Sequence, residues 1–310
     1  MPGKRISCTR PPLSGLSSLA LLVLLAGCSA SPLAKHTAAF SSATNLVVDG
    51  SENAYRATVR LHDQEQIAAA VARYDTTPNW DPHNIPVTHL IDDKGLEVRS
   101  LVLDGLKLYA QTLSDLTSHI SSEKLDAASA AVGNHLMALS GNLGNVTSGG
   151  FTLSHTQANL ASTAVNALGT FLASKKVSSG VPGIIKSMDP NVEAVCQLLN
   201  DDITILRRQS HDDYEQLLVQ QDSFIRHAQG LSPVERRAEI NKLPQIILRQ
   251  QTTDDMLADL QGTITKLALT HHALAATAQN KNPESLRDRL GELEAAAQRL
   301  SQFYSSLPTS

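Results

Sequence analysis

Apolar residues recur every three or four positions along most of the chain, which is the period of an amphipathic helix. The pattern is most regular near the carboxyl terminus, where two apolar seams alternate steps of three and four residues. The first seam is Leu257, Leu260, Ile264, Leu267, His271, Leu274 and Ala278, and the second is Leu286, Leu290, Leu293, Ala297, Leu300 and Tyr304. Because this is coiled-coil spacing, the two helices are expected to pack nearly antiparallel.

The same period predicts helices at about 39–74, 96–120, 122–142, 154–175, 190–228 and 233–277. The last of these contains the first seam, and the seventh helix, which contains the second seam, begins at Asn282-Pro283. Asp49-Gly50 predicts a possible break in the first helix. A connector is expected over 177–189, with Asp189 as the cap of the fifth helix and Pro190 in its first position. Ser232-Pro233-Val234-Glu235 is a predicted capping box, and Pro244 is expected to break or kink the helix that follows.

Strand-forming runs of Val, Ile, Tyr and Thr are nearly absent, and only 4% of the residues are aromatic. Neither a sequence repeat nor a composition shift marks a domain boundary within the helical part. The sequence therefore predicts an all-α fold, one elongated bundle of six or seven helices with coiled-coil-like packing.

The first 27 residues are organised as a secretory signal. A basic segment with Lys4, Arg5 and Arg10 precedes an apolar run over 16–25, and small residues follow it. The run is too short to span a bilayer as a helix, which needs about 20 residues. An exported protein is therefore expected, with residues 1–27 removed.

Leu25-Ala26-Gly27-Cys28 resembles the lipobox of bacterial lipoproteins. The resemblance covers the first 29 residues only. It implies cleavage before Cys28, acylation of that thiol by a diacylglycerol, a tether over 28–38 and one helical domain over 39–310. The alternative is an ordinary signal peptide with a cysteine after the glycine. In Gram-negative lipoproteins, an Asp directly after the acylated cysteine usually means retention at the inner membrane. This chain has Ser29 there, which implies that the protein is placed at the periplasmic face of the outer membrane if the host is Gram-negative.

Charge and cysteine content limit the partners and the source of stability. Loss of the signal removes three of the 26 basic residues and none of the 30 acidic ones, so the net charge moves from −4 to −7. Nucleic acid is therefore not an expected partner, and the lipid must supply the membrane affinity. Cys196 is the remaining thiol, expected to be buried and inert, so the mature chain forms no internal disulfide.

A long uncharged segment extends from Ala127 to Ser174, in a chain of which 18% of the residues are charged. It contains two predicted helices and the turn between them. One interpretation is a hairpin enclosed by other helices, and another is a surface covered by a protein partner. The third is insertion into a membrane, against which the asparagines at 134, 142, 159 and 166 argue, because each would bring amide groups into hydrocarbon.

The segment 75–95 is rich in proline and contains the single tryptophan, Trp80. Its candidate metal ligands are His83 and His89, but their spacing matches no closed motif, and a solvated loop explains them equally well. Trp80 is expected either to anchor the loop on the bundle or to stack on a ligand.

Two further groups of polar residues lie on predicted helices. His271 and His272 are adjacent, so they are expected to point about 100° apart and not to share an ion. His211-Asp212-Asp213 is expected to form a solvated helix face.

Catalytic motifs are missing from the sequence: there is no Gly-x-Ser-x-Gly, no His-Glu-x-x-His and no phosphate loop after a strand. The sequence predicts no catalytic residue and no cofactor. The expected function is a membrane-anchored, non-enzymatic interaction or assembly lipoprotein of the bacterial cell envelope, with a protein partner there. One alternative is a membrane-active protein that inserts hairpin 127–174, and another is a small-ligand carrier or enzyme with a site near the 75–95 loop.

Overall fold

A computed structural model of the protein describes residues 31–74, 90–118, 123–141, 155–174, 180–278 and 283–306. Within these ranges the chain forms helices and no strand, which confirms the predicted all-α bundle. The helices are α1 (Pro32–Tyr74), α2 (Asp93–Ser118), α3 (Glu123–Ser140), α4 (His155–Ser174), α5 (Gly180–His227), α6 (Pro233–Ile240), α7 (Lys242–Thr277) and α8 (Pro283–Ser306).

The bundle is built on the two longest helices, α1 and α5, which lie side by side in the same direction. Helix α2 returns antiparallel along α1, where the Thr37 and Thr117 hydroxyls are 2.5 Å apart and Lys107 pairs with Asp49. Helix α7 returns antiparallel along α5, α8 packs between α7 and α1, and the hairpin of α3 and α4 packs on α2 and α5. At 1.5 Å of rise per residue, the 48 residues of α5 extend roughly 70 Å, so the bundle is elongated as predicted.

The carboxyl-terminal seams form much of the core. From Leu257 to Leu274 the predicted positions of α7 are buried, as are those of α8 from Leu286 to Leu300, and Ala278 packs against the core while partly buried. The side chain of Tyr304 lies outside the described ones. The two predicted seams are therefore confirmed for their described side chains. Their uniform spacing places the apolar residues on one face of each helix along its whole length.

Helix α1 begins earlier than expected and has no break. It starts at Pro32, whereas the tether was predicted to continue to residue 38, and Ala34 and Thr37 are buried against the bundle. It also continues through Asp49-Gly50, where Val47 and Val48 are buried. Packing of these side chains outweighs the helix-breaking tendency of one glycine, which amounts to about 1 kcal/mol.

Helix α5 also begins earlier than predicted. It starts at Gly180, so the expected connector is largely helical and Pro190 lies in the helix interior. Proline there costs about 3 kcal/mol because it lacks a donor and its ring crowds the preceding turn. Ile184, Ile185 and Met188 are buried in this turn, and each contributes about 1.5–3 kcal/mol, which exceeds the cost.

The predicted sixth helix is divided into α6 and α7 at Asn241, three residues before Pro244, where a break or kink was expected. The capping box is confirmed: the Glu235 amide donates to the Ser232 hydroxyl, and the Ser232 amide donates to the Glu235 carboxylate. Pro244 lies in the first turn of α7, where a missing N–H is tolerated.

None of the described helices contains an apolar stretch long enough to cross a bilayer.

Candidate functional site

One end of the bundle differs in polarity from the rest. This distal end is made of residues 60–74 of α1, 215–227 of α5, the whole of α6 and 242–256 of α7. Hydrogen bonds hold the four segments together: Gln220 donates to Glu65, Gln221 donates to Glu239 and Gln250 donates to Glu215, each at 2.9 Å. Polar side chains, all but Glu65 half-buried or exposed, therefore link the segments at this end.

Large apolar side chains at the distal end face solvent instead. Of the ten large hydrophobic residues that are exposed in the described part of the chain, eight belong to this end, with exposed fractions from 43% to 79%. We call them the distal apolar surface: Ile67, Val71, Val219, Phe224, Val234, Ile240, Ile247 and Leu248. Such a concentration is unusual, because soluble monomers generally scatter their exposed apolar residues.

The distal end has little apolar core beneath this surface. No residue of α6 is buried, and the buried positions of α7 begin only at Leu257. Phe224 continues the helical spacing of apolar residues along α5, but it is 46% exposed, and Ile225 is buried instead. The described helices leave this side chain nearly half exposed, a feature that helical periodicity does not reveal.

The uncharged hairpin is buried on one face only. Its inner face packs on the bundle through Leu136, Val165 and Leu168, whereas Asn134, Asn159 and their neighbours are exposed. The interpretation that other helices enclose the hairpin is therefore wrong for its described residues. They present an outer face of Ala, Asn and Thr side chains, with Leu160 as its exposed large apolar residue.

A buried polar cluster joins α1 to α5 at the base of the distal end. His62 and Glu65 come from successive turns of α1, and Asp213 comes from α5. The His62 Nδ1 atom is 2.9 Å from Asp213 Oδ1, and one ligand-type atom from each of the three residues lies within 4.8 Å of the others. All three side chains are shielded from solvent. Imidazole and carboxylate donors at this spacing are suited to a divalent metal ion.

The prediction for His211-Asp212-Asp213 is confirmed for two residues and wrong for the third. His211 and Asp212 are exposed, but Asp213 is buried and faces His62. The partner is 151 positions away in the sequence. The one local signal is the spacing of Asp213 from the buried Ser210 and Leu206 of α5, which places the three on one helix face.

A second buried cluster surrounds the histidine of the α7 seam. His271 Nε2 is 2.8 Å from the Tyr109 hydroxyl, and its Nδ1 is 2.9 Å from Asp189 Oδ1. His272 Nδ1 is 2.7 Å from Asp189 Oδ2. The two histidines therefore share a carboxylate, one oxygen each, although their rings were expected to diverge. This is possible because the carboxylate has two oxygen atoms, and each of them contacts a different histidine.

Burial governs the protonation of this second cluster. It lowers the pKa of His271 and outweighs the opposing effect of Asp189, so the ring is neutral at pH 7. Burial opposes ionisation of Asp189 as well, but its hydrogen bonds with the two histidines outweigh burial and lower its pKa. With His271 neutral, Nδ1–H donates to Asp189 and Nε2 accepts from Tyr109. Both ring nitrogens of His271 therefore already have hydrogen-bond partners.

Cys196 is buried as predicted. Burial, assisted by Glu193, raises the pKa of its thiol to about 12. The thiol is therefore protonated at neutral pH and unsuited to nucleophilic chemistry.

The remaining predicted site residues, Cys28, Trp80, His83 and His89, lie outside the described residues. No protein-family model, no curated protein and no solved structure matches the chain.

Proposed function

We propose that this protein is a lipid-anchored, non-enzymatic interaction or assembly lipoprotein of the bacterial cell envelope, and that it binds another envelope protein through its distal apolar surface. The observation that carries the proposal is the concentration of exposed apolar side chains over a distal end that has little apolar core. Exposed apolar area costs free energy in water, and binding a protein partner recovers it.

The position of the surface along α1 supports a protein partner. Cys28 precedes the first residue of α1, Pro32, by four positions, so a lipid on that thiol lies next to the start of the helix. Val71 is roughly 60 Å further along the continuous helix, at 1.5 Å per residue. With the long axis of the bundle perpendicular to the membrane, the distal apolar surface would lie away from the anchoring membrane and within reach of another envelope protein.

Charge supports the same assignment. The mature chain is acidic, which disfavours nucleic acid and anionic lipid surfaces as partners. Ser29 after the acylated cysteine supports placement at the periplasmic face of the outer membrane in a Gram-negative host. Two or more acyl chains anchor firmly where a single chain binds reversibly.

Site-specific photocrosslinking in the native envelope tests the proposal. A photoreactive residue is introduced at Val219 or at Leu248, and at Lys186 as an exposed control on the opposite part of α5. We expect one discrete protein adduct from the first two positions and none from Lys186. Adducts with lipid alone, or equal protein adducts from all three positions, would contradict the proposal.

The anchor is tested separately. Metabolic labelling with a fatty-acid analogue should mark the chain, and the Cys28→Ala variant should remain unlabelled and uncleaved at that site. A mature amino terminus other than Cys28 would refute the lipoprotein assignment while leaving the photocrosslinking result to be judged by itself.

A further inference from the structure

The cluster of His62, Glu65 and Asp213 contains a buried acceptor that its surroundings do not satisfy. Asp213 is 3% exposed, and its Oδ2 atom has no hydrogen-bond partner. A buried carboxylate oxygen without a hydrogen-bond partner destabilises the fold, because it has lost its water and gained nothing in exchange. Gln220 also has a buried amide oxygen without a partner, and its nitrogen bonds Glu65, so a second unsatisfied acceptor lies beside the first group.

The cluster also contains more carboxylate groups than imidazole groups. Two carboxylates, from Glu65 and Asp213, are buried within a few ångströms of one imidazole, and both are acceptor-only groups when ionised. Like charges at this separation repel strongly in a partly dehydrated site. A bound cation would remove the repulsion and satisfy the free oxygen together.

The donor types identify the class of cation. Calcium and magnesium prefer sites made of oxygen atoms, whereas an imidazole nitrogen combined with carboxylates suits first-row transition metals and zinc. Ligand atoms about 2.1 Å from a tetrahedral zinc ion stand roughly 3.4 Å apart. The donor atoms here lie within 4.8 Å of one another, so small side-chain rotations bring them to that spacing.

Amide groups around the cluster already orient its carboxylates. Gln66 and Gln220 donate to the two oxygens of Glu65, at 2.8 and 2.9 Å, and Gln209 donates to Asp213 Oδ1 at 3.1 Å. Hydrogen bonds of this kind fix carboxylate ligands and are a regular feature around protein metal sites.

We propose that His62, Glu65 and Asp213 bind one divalent ion of zinc or of a first-row transition metal, with zinc as the reference ion, and thereby join α1 to α5 beneath the distal apolar surface. Water completes the coordination. The ion stabilises the contact between the two longest helices at the end where the apolar core is thin. This inference does not depend on the proposed lipid anchor or on a protein partner.

Zinc binding to the full chain tests this site. After removal of metal with a chelator, the protein is titrated with zinc, dialysed and assayed for bound metal and for its thermal unfolding midpoint. We expect one retained zinc ion per chain and a higher midpoint. The Asp213→Asn and Glu65→Gln variants should bind zinc at least about 100-fold more weakly. The matched control, Asp212→Asn, removes an exposed carboxylate from the adjacent position and should bind as the wild type does.

Two results would overturn the proposal: no retained zinc in the wild type, or retention by the ligand variants equal to that of the wild type. Should a ligand variant fail to fold, X-ray absorption of the zinc-loaded wild type decides the question. One imidazole with oxygen ligands is expected, and a shell with two or more imidazoles or with sulfur would place the metal elsewhere.

Discussion

Gly133 of α3 and Gly169 of α4 bring two helix backbones into direct contact. A Cβ atom added at Gly133 would lie 2.6 Å from the carbonyl oxygen of Gly169, and one added at Gly169 would lie 2.7 Å from the carbonyl oxygen of Gly133. No side chain fits in that space, so the hairpin depends on glycine at both positions. The many small residues of the uncharged segment thus permit close packing of α3 on α4.

Substitution of Gly169 by alanine is expected to destabilise the protein by about 1–3 kcal/mol, because the added methyl group forces the backbones apart. The matched control is Gly262→Ala in α7, where the added Cβ meets nothing within 4 Å. That change should stabilise the helix by about 0.5–1 kcal/mol. Denaturant unfolding followed by circular dichroism measures both effects. Stabilisation by both substitutions would show that α3 and α4 do not approach this closely.

The Arg99 guanidinium makes two hydrogen bonds to Asp202, at 2.7 and 2.8 Å, and both side chains are about nine-tenths buried. Asp202→Ala should cost about 3–5 kcal/mol because it leaves a buried cation unpaired. Asp254→Ala is the control, since its pair with Arg207 is one-third to one-half exposed and worth less than about 1 kcal/mol. Equal losses in chemical denaturation would contradict the assigned burial of the Arg99 pair.

Acid should destabilise the protein through His271. Its pKa is lowered in the fold, so the unfolded chain takes up a proton near pH 6.5 that the folded ring resists. Stability is therefore present above that pH and is lost as the pH falls further, by at most about 1.4 kcal/mol per pH unit for one proton. Burial lowers the pKa of His36 in the same sense.

The His271→Gln variant isolates this contribution. Its free energy of unfolding should fall less steeply between pH 7 and pH 5 than that of the wild type. The control, His211→Gln, removes an exposed imidazole and should show the same pH profile as the wild type. Parallel pH profiles for His271→Gln and the wild type would exclude a neutral buried ring. Below about pH 4, loss of stability is expected from Asp189, whose lowered pKa favours the fold only while the carboxylate is ionised.

Pro190 distinguishes the predicted start of α5 from the observed one. At a helix start, proline is favourable, and replacing it by alanine would be neutral or slightly destabilising. In the interior of α5, the Pro190→Ala variant should gain about 1–3 kcal/mol, because it restores a backbone donor and relieves crowding. Thermal unfolding of the variant and the wild type at one pH separates these two expectations.

The sequence predicted those elements of the fold that depend on local pattern. The α7 and α8 seams and the Ser232 capping box follow from spacing and side-chain type over a few turns. The start of α5 did not follow, because burial of Ile184, Ile185 and Met188 against other helices overrides the local preference of Pro190. Such packing is a property of the tertiary structure.

The candidate sites were harder to predict for the same reason. His62 and Asp213 are 151 positions apart and become neighbours only because α1 and α5 lie side by side. The exposure of Phe224 depends on which other helices extend to the distal end. The spacing of apolar residues in α5 gives no information about that. The polarity pattern of one helix identifies its apolar face but not the element that covers it.

A paired substitution on the distal apolar surface tests whether that surface binds a protein partner. The Val219→Ser and Leu248→Ser double variant is compared with Leu269→Ser, which removes an exposed leucine elsewhere on α7. Partner recovered by chemical crosslinking in the native envelope should fall at least about tenfold for the double variant only. The free energy of unfolding of the double variant and of the Leu269→Ser control should each stay within about 0.5 kcal/mol of the wild-type value. Undiminished crosslinking of the partner to the folded double variant would show that the partner does not bind at this surface.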